Sequence, residues 1–326
     1  MRVFLTGGAG FVGSHVARQL VKHGHEVHAL MLGADDDRLA RERLGTEHDD
    51  VVRMRGDLVR PASYMPALEK LRPEACIHAA WCTNPKDYLS SRINVDLLGA
   101  SIALGEKLID LGCRRIVGVG TCFEYDTSFG FLSEASALKP RHLYSTCKRA
   151  LFDVMRHLSA STDTSFAWTR LFFLYGRHES PGRLVPSVID TLLAGDEARI
   201  SSGDQIRDFM HVANAAAGIV HVLETDALSG AVNVASGHPV KVREVVETIA
   251  ELVERKTKKK ARIAWGAVPV REGDPAFVCA DVRRLTVSGF HPEFDLETGL
   301  HDIVEWFARK KQTRQTTTDP RASKIT

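Results

Sequence analysis

Tyr144 and Lys148 stand four residues apart in HLYSTCKRALFDV, at the head of a stretch with helical spacing. Four residues is about one helical turn, so the two side chains share a face. A free phenol titrates near ~10 and carries protons poorly at neutral pH. A nearby ammonium, together with a cationic ring, favours the phenolate and draws that value down. Thr121 closes the run Ile116-Val117-Gly118-Val119 and adds a hydroxyl that can hydrogen-bond a reacting oxygen. Tyr-x-x-x-Lys is common by chance, and an exposed helix pair is the plain alternative. The trio gains weight from a second pattern at the other end of the chain.

That pattern is TGGAGFVGSH, with Gly7, Gly10 and Gly13 between a strand and a helix, and Phe11 and Val12 inside the turn. Glycines permit the tight turn and close backbone approach, and a helix N-terminus offers free N–H groups to a pyrophosphate. The spacing is GxxGxxG rather than GxGxxG, but the mechanics are similar and the strand and helix contexts fit a dinucleotide. NAD-binding folds usually end their second strand on Asp or Glu, to hold the ribose 2′-hydroxyl. Here that position falls near Met31; Asp35–Asp37 follow late, and Arg38 comes after them. Without a carboxylate to repel a 2′-phosphate, and with Arg38 to contact one, the expectation is NADP(H), with NAD(H) the other possibility. The bland reading of 35–38 is a solvated loop.

The elements that must position these groups follow from patterning. Arg2–Thr6, Glu26–Met31, Val51–Arg55, Ala75–His78, Arg115–Gly120 and Ser165–Leu171 read as nearly continuous apolar strands. They alternate with helical stretches such as Gly13–His23 and Ile93–Leu111, which predicts a parallel sheet covered on both faces. After Gly176 the alternation lapses: Arg183–Ala194 is helical, GDQIRDF is a loop, Val212–Glu224 and Ala231–Ala235 return to the earlier style, and Lys241–Arg255 is helical. The fold class is therefore α/β, a Rossmann-type doubly wound parallel sheet with a smaller, discontinuous α/β substrate lobe. Residues 1–175 and about 206–236 form the dinucleotide-binding domain, 176–205 and 237–310 the second lobe, and the polar, aperiodic 311–326 a flexible tail.

Bulk properties narrow the function classes. Among 326 residues, 44% are hydrophobic and 26% charged, with net charge +2, so no strong field points to nucleic acid or membrane. Lys258–Lys260 reads as a solvated turn. Six cysteines lack paired or metal-ligand spacing, so the expectation is reduced thiols, no metal and a cytoplasmic setting. No apolar run approaches a membrane span, and MRVFLTGG is too short for a secretory signal.

With these motifs assembled, the chain resembles the extended short-chain dehydrogenase/reductases that act on nucleotide sugars, the NAD-dependent epimerase/dehydratase family. The resemblance runs through TGGAGFVGSH, GDL at 56–58, HAA at 78–80, INVDLLGA, the Thr121…Tyr144-x-x-x-Lys148 set, RLFFLYG, RLVPSVI, IRDFMHV, VNVASG and REGDP. It implies that Thr121, Tyr144 and Lys148 are catalytic. Asp57 and Leu58 would flank the adenine, while Ala79, Ala80, Asn94 and Phe172 would line the cofactor groove. Lys148 would also bind the nicotinamide ribose. Thr83, Phe123, Phe173 and Arg183 would face the substrate, as would Thr121 and Tyr144. Arg207 and Arg271 would face the diphosphate, which suits guanidinium chemistry. A homodimer is implied too, packed through Ile93–Leu111 and the Tyr144 helix.

Departures from the pattern select among chemistries. Aligning Tyr125 with the tyrosine of the family's VYG motif puts Cys122 and Phe123 where dTDP-glucose 4,6-dehydratases carry Asp and Glu. Nucleotide-sugar decarboxylases carry Glu at the Phe123 position, and GDP-sugar 3,5-epimerases and GDP-fucose synthase a cysteine. A phenyl ring moves no proton. Glu124 should point the other way along an extended segment, and Cys122 reads as a small buried hydrophobe. What remains is chemistry at one carbon. The first reading is reduction of an NDP-4-keto-6-deoxyhexose by NAD(P)H, in which Tyr144 protonates the oxygen; Phe172-Phe173, where 4-epimerases carry an Asn, suggests a less polar sugar and relatives such as CDP-abequose synthase. The alternative is an NDP-sugar 4-epimerase holding NAD tightly. A non-enzymatic cofactor sensor is the third, and such proteins tend to lose the Tyr/Lys pair retained here.

Overall fold

A computed structural model describes residues 1–270 and 273–318. In chain order its first half runs β1 (Arg2–Thr6), α1 (Phe11–Lys22), β2 (Glu26–Met31), α2 (Ala34–Leu44), β3 (Val51–Arg55), α3 (Met65–Leu71), β4 (Ala75–His78), α4 (Ile93–Asp110), β5 (Arg115–Thr121), β6 (Phe131–Leu132), α5 (Leu143–Ser159), β7 (Ser165–Leu171) and β8 (Phe173–Tyr175). There follow α6 (Leu184–Ala194), β9 (Glu197–Arg199), β10 (Ile206–His211), α7 (Val212–Glu224), β11 (Gly230–Val234), β12 (Pro239–Lys241), α8 (Val242–Thr257), β13 (Arg262–Ala264), β14 (Phe277–Ala280), α9 (Arg283–Val287) and α10 (Leu296–Thr318).

Seven parallel strands form the main sheet in the order β11-β7-β5-β4-β1-β2-β3. Every residue of β4 and β5 is buried, because helices cover both faces. That is why these strands read as apolar runs rather than alternating ones. The chain order reverses between β1 and β4. In open α/β sheets, ligands bind outside the carboxyl ends of the strands at such a point. The loop after β1 carries the glycines, and the loop after β4 carries Ala79 and Ala80.

Helix α5 buries Tyr144, Cys147, Lys148, Leu151, Phe152 and Met155, a stripe of three- and four-residue steps. The Tyr/Lys pair is thus the head of the stripe that anchors the helix to β5 and β7. Continuous packing from Leu151 to Met155 fixes where those polar groups end up.

The smaller lobe is built on the sheet β12-β10-β14-β6, with β8 also paired to β10, and on the pair β13-β9. Its own core joins α6, α8 and α10 through Val188, Ile189, Val245, Ile249, Leu300 and Ile303. Segments interleave here: β6 and β8 come from residues 1–175 yet pair in the smaller sheet, whereas α9 packs on β11 of the main sheet. In the 206–236 return, α7 and β11 join the main sheet and β10 stays with the smaller one. Helix α10 continues through Thr318, eight residues past the boundary expected at 310. KKQTRQTTT contains no Gly or Pro, so polar composition alone did not end the helix. Among the described residues no helix is long and apolar enough to cross a membrane.

Candidate active site

The glycine turn is built to approach another backbone. Gly7 has φ +76°, and a Cβ there would lie 2.8 Å from Ala80 N. At Gly13 a Cβ would lie 2.0 Å from Gly7 O, so any side chain would fill the turn. Gly10 N–H donates to Gly7 O at 2.8 Å. Helix α1 starts at Phe11 with no side-chain cap and no acid in its first turn, leaving its N–H groups and positive dipole end free for an anion. Phe11 leans edge-on against His15, and Val12 packs against the core.

Polar groups lock the neighbouring strand ends. Thr6 Oγ1 accepts from Ala80 N at 3.1 Å and bonds His78 Nδ1 at 2.8 Å, while His78 Nε2 meets Ser101 Oγ at 2.8 Å. Burial, and secondarily the Lys148 charge, hold the His78 imidazole down at about 3, so it is neutral. After β3, Asp57 Oδ1 accepts from Val59 N at 3.1 Å, and Leu58 is buried in the core on that side.

Across the sheet edge, Thr121, Tyr144 and Lys148 converge. Thr121 is buried at the end of β5, and Tyr144 is buried at the head of α5. Lys148 Nζ donates to Val119 O at 2.7 Å and lies 4.0 Å from the centroid of Trp81. Burial lowers the Lys148 ammonium to about 7, opposed by the charge of Glu124. Burial drives the Tyr144 phenol well above its ordinary value, reinforced by Tyr88 and Glu124, with the Thr121 hydroxyl pulling the other way. Tyr144 therefore keeps its phenolic proton at neutral pH.

Residues 3–235 match the NAD dependent epimerase/dehydratase family. The chain belongs to it. Within the similarity range, the probable UDP-glucuronate 4-epimerase of Rhizobium meliloti (strain 1021) is 26% identical, over 97% of this chain and 100% of its own length. CDP-abequose synthase of Salmonella muenchen is 21% identical, over 93% and 97% respectively. Among solved structures, MoeE5 in complex with UDP-glucose and NAD superposes with a TM-score of 0.78 at 26% identity, covering 95% of this chain and 100% of that one.

Cys122–Glu124 forms a 3₁₀ turn rather than the extended segment assumed from sequence. Thr121 caps it, accepting from Phe123 N at 3.3 Å, while Glu124 Oε1 accepts from Thr121 N at 2.9 Å. Glu124 is fully buried and also takes bonds from Trp168 Nε1 at 2.9 Å and Arg170 Nε at 2.8 Å. It faces away from Phe123, but because of the turn and these partners, not strand alternation. Cys122 is buried, and burial pushes its thiol up to about 12. Phe123 is half-buried, edge-on to His142 and Phe173.

Other expected positions divide. Phe173 is half-buried between Phe123, Phe209 and the Arg207 guanidinium at 5.2 Å, whereas Phe172 turns its ring into a buried cluster beside Tyr125. Phe172, expected in the cofactor groove, thus has its ring packed in this cluster. Asn94 is likewise committed inside: its Nδ2 donates to Tyr88 O and Ser91 O at 2.8 and 2.7 Å, and its Oδ1 accepts from Trp81 Nε1 at 2.7 Å. Arg207 pairs with Asp274 at 2.8 Å. Arg183 lies 5.1 Å from the Tyr88 ring, and Thr83 is exposed nearby in the same loop as Tyr88. Arg271 lies outside the described residues.

The 2′-phosphate expectation meets a contrary geometry. Arg38 is 74% exposed, with only Asp35 at 4.0 Å. Helix α2 begins soon enough after β2 to bring Asp36 back, and its Oδ2 accepts from Leu32 N at 2.8 Å. A carboxylate thus sits at the end of β2 after all, supplied from five residues downstream of Met31. Sequence reasoning also missed Arg43, whose Nη1 donates to Ala9 O in the glycine turn at 2.6 Å, and Glu179, whose carboxyl burial pushes up to about 8 beside Arg183. Both depend on long-range folding that no local motif marks.

Proposed function

We propose that the protein reduces the 4-keto group of a nucleotide-activated 4-keto-6-deoxyhexose. The observation that carries this reading is the surroundings of Tyr144: a buried phenol at the head of α5, on one helix face with Lys148, and an aromatic surface at Phe123 and Phe173 where a second acid or base would stand. Such a site moves one proton at one carbon. Dehydration, decarboxylation and 3,5-epimerisation each need another titrating group beside it.

The glycine turn and the α1 N-terminus would hold the pyrophosphate, Asp57 and Leu58 the adenine, Asp36 the adenosine ribose and Lys148 the nicotinamide ribose. We favour NAD(H), because Asp36 places negative charge where a 2′-phosphate would have to lie. Held by these residues, a dihydronicotinamide would supply the hydride for the carbonyl carbon. Thr121 orients the carbonyl oxygen by a hydrogen bond, and Tyr144 gives that oxygen its phenolic proton as negative charge develops on it. The Lys148 ammonium then stabilises the phenolate left behind. Arg183 and Arg207 would contact the diphosphate, Arg207 after release from Asp274. Phe123 and Phe173 offer a deoxygenated sugar face an apolar wall.

The 4-epimerase reading has one observation of its own in favour: the Asp36 carboxylate fits a retained NAD, and a curated relative bears that activity in its name. Cofactor released from the purified, denatured protein separates the two readings. Near-stoichiometric NAD would move the assignment to the epimerase, whereas an empty protein that consumes NADH with 4-keto-6-deoxy sugar nucleotides supports reduction. In the reductase, Tyr144→Phe should lower turnover by about 10²–10⁴-fold while cofactor still binds; retained turnover would sink the assignment. We also propose a cytoplasmic homodimer through α4 and α5, checked by sedimentation.

A further inference from the structure

Lys148 is 2% exposed, yet no carboxylate bonds it. Among the described residues its Nζ makes one hydrogen bond, to Val119 O at 2.7 Å, and it lies over two indoles: Trp81 at 4.0 Å and Trp168 at 5.7 Å. Trp168 is fixed in the core by Glu124. Trp81 belongs to the loop after β4 and is half-buried, and Asn94 fixes its Nε1 at 2.7 Å. The same Asn94 ties down the rest of that loop through Tyr88 O and Ser91 O. The Trp81 ring also meets Tyr144 edge-on at 6.5 Å, and Tyr88 meets it at 5.2 Å.

We propose that Trp81 is a positioning residue: its indole, oriented by Asn94, seats the Lys148 ammonium under its face and keeps that side chain cationic beside Tyr144. The physical basis is the negative face of the indole, which attracts a desolvated cation more strongly than a hydrated one. Burial strips Lys148 of water and pulls it down to about 7. The charges around it are Glu124 from the turn after β5, which favours the cation, and His78 from β4, which is neutral; Tyr144 on its own helix is a neutral phenol. With the carboxylate already shared among Thr121, Trp168 and Arg170, the charge rests on Val119 O and on the Trp81 face, the nearer of its two indoles. Replacing it with an aliphatic side chain should lower the Lys148 value by about one pH unit. A lower value leaves less cation at pH 7; the deficit narrows to about twofold at pH 6 and disappears near pH 5, where the amine is protonated in either case.

A substrate-free titration tests this without relying on the proposed activity. Tryptophan emission of the full chain should contain a component that changes between about pH 6 and 8, absent in Lys148→Met and lost or strongly diminished in Trp81→Phe. An undiminished component in Trp81→Phe, or no titrating component in the wild type, overturns the proposal. A second arm, which rests on the reductase reading, compares turnover. Trp81→Leu should lose about fivefold at pH 7, about twofold at pH 6 and almost nothing at pH 5, while Trp81→Phe, which keeps an aromatic face, should stay within about twofold of wild type. A pH-independent loss in both variants would mean Trp81 acts only through packing. Failure of all turnover with an intact emission titration would condemn the activity reading and leave the Trp81 proposal standing.

Discussion

Two cations are buried around the same strand ends, and they are treated in opposite ways. Arg170 on β7 is 1% exposed and meets Glu124 at 2.8 Å, with the Tyr125 ring 4.5 Å from its guanidinium. Lys148 on α5 is almost as deeply placed, but its direct bond is to a neutral carbonyl. A buried ion pair compensates much of its own desolvation, whereas an unpaired ammonium leaves most of that cost standing. The first arrangement stays charged and holds shape. The second sits close to its titration point, as a proton-handling group should. Glu124 links them, since its carboxylate clamps Arg170, Trp168 and the Thr121 backbone while its field reaches Lys148.

Breaking the compensated pair should have the largest effect. Glu124→Gln leaves the Arg170 guanidinium buried without its countercharge and should cost about 3–5 kcal/mol of stability, read from denaturant midpoints. A change below about 1 kcal/mol would mean that water reaches the pair. Lys148→Met tests the other side of the contrast: turnover should fall by about 100-fold or more, yet the folded state should gain stability, by an order of a few kcal/mol at pH 7. A destabilised Lys148→Met protein would show that the ammonium is structural after all.

The same contrast has a pH signature. Folding lowers the Lys148 value from the ordinary lysine range to about 7, so between these limits the unfolded chain binds the additional proton. Stability therefore rises with pH wherever that inequality holds. The advantage of Lys148→Met over wild type should be greatest below pH 7 and shrink steadily toward pH 10. Parallel unfolding curves at pH 7 and pH 9.5 check this; an unchanged difference would place the Lys148 titration elsewhere.

How far the sequence revealed these sites depends on whether the signal was local. The six strands expected within residues 1–171 lie where their apolar runs placed them, because burial on both faces leaves an unbroken pattern, whereas the two-residue β6 gave no such run. The glycine turn and the Tyr144/Lys148 stripe were legible for the same reason: both depend on spacing within one turn or one helix. What escaped reading was set by distant partners. Glu124 is oriented by Arg170 and Trp168, residues 46 and 44 positions away; Asn94, by contrast, is held by the nearby Tyr88 and Ser91 carbonyls and Trp81, through an irregular loop that no periodic pattern marks. The paired phenylalanines shared one expectation but not one environment, since consecutive residues at the β7–β8 junction face different ways.

The gentlest test concerns the acids after β2, where linear spacing misled most directly. Counting along the strand left Met31 at the ribose position and Arg38 as a phosphate partner. Helix α2 instead folds Asp36 back to the strand end, and its first turn leaves Arg38 in solvent. A carboxylate held there accepts from a ribose hydroxyl and repels a phosphate, whatever its place in the sequence. Asp36→Ala should therefore weaken NADH binding by about tenfold and narrow the preference over NADPH. Arg38→Ala should change neither affinity by more than about twofold, since an exposed guanidinium contributes little. Isothermal titration of both variants with both cofactors gives the answer directly. Loss of NADPH binding in Arg38→Ala, with NADH binding intact in Asp36→Ala, would restore the 2′-phosphate reading and remove the main support for a retained NAD.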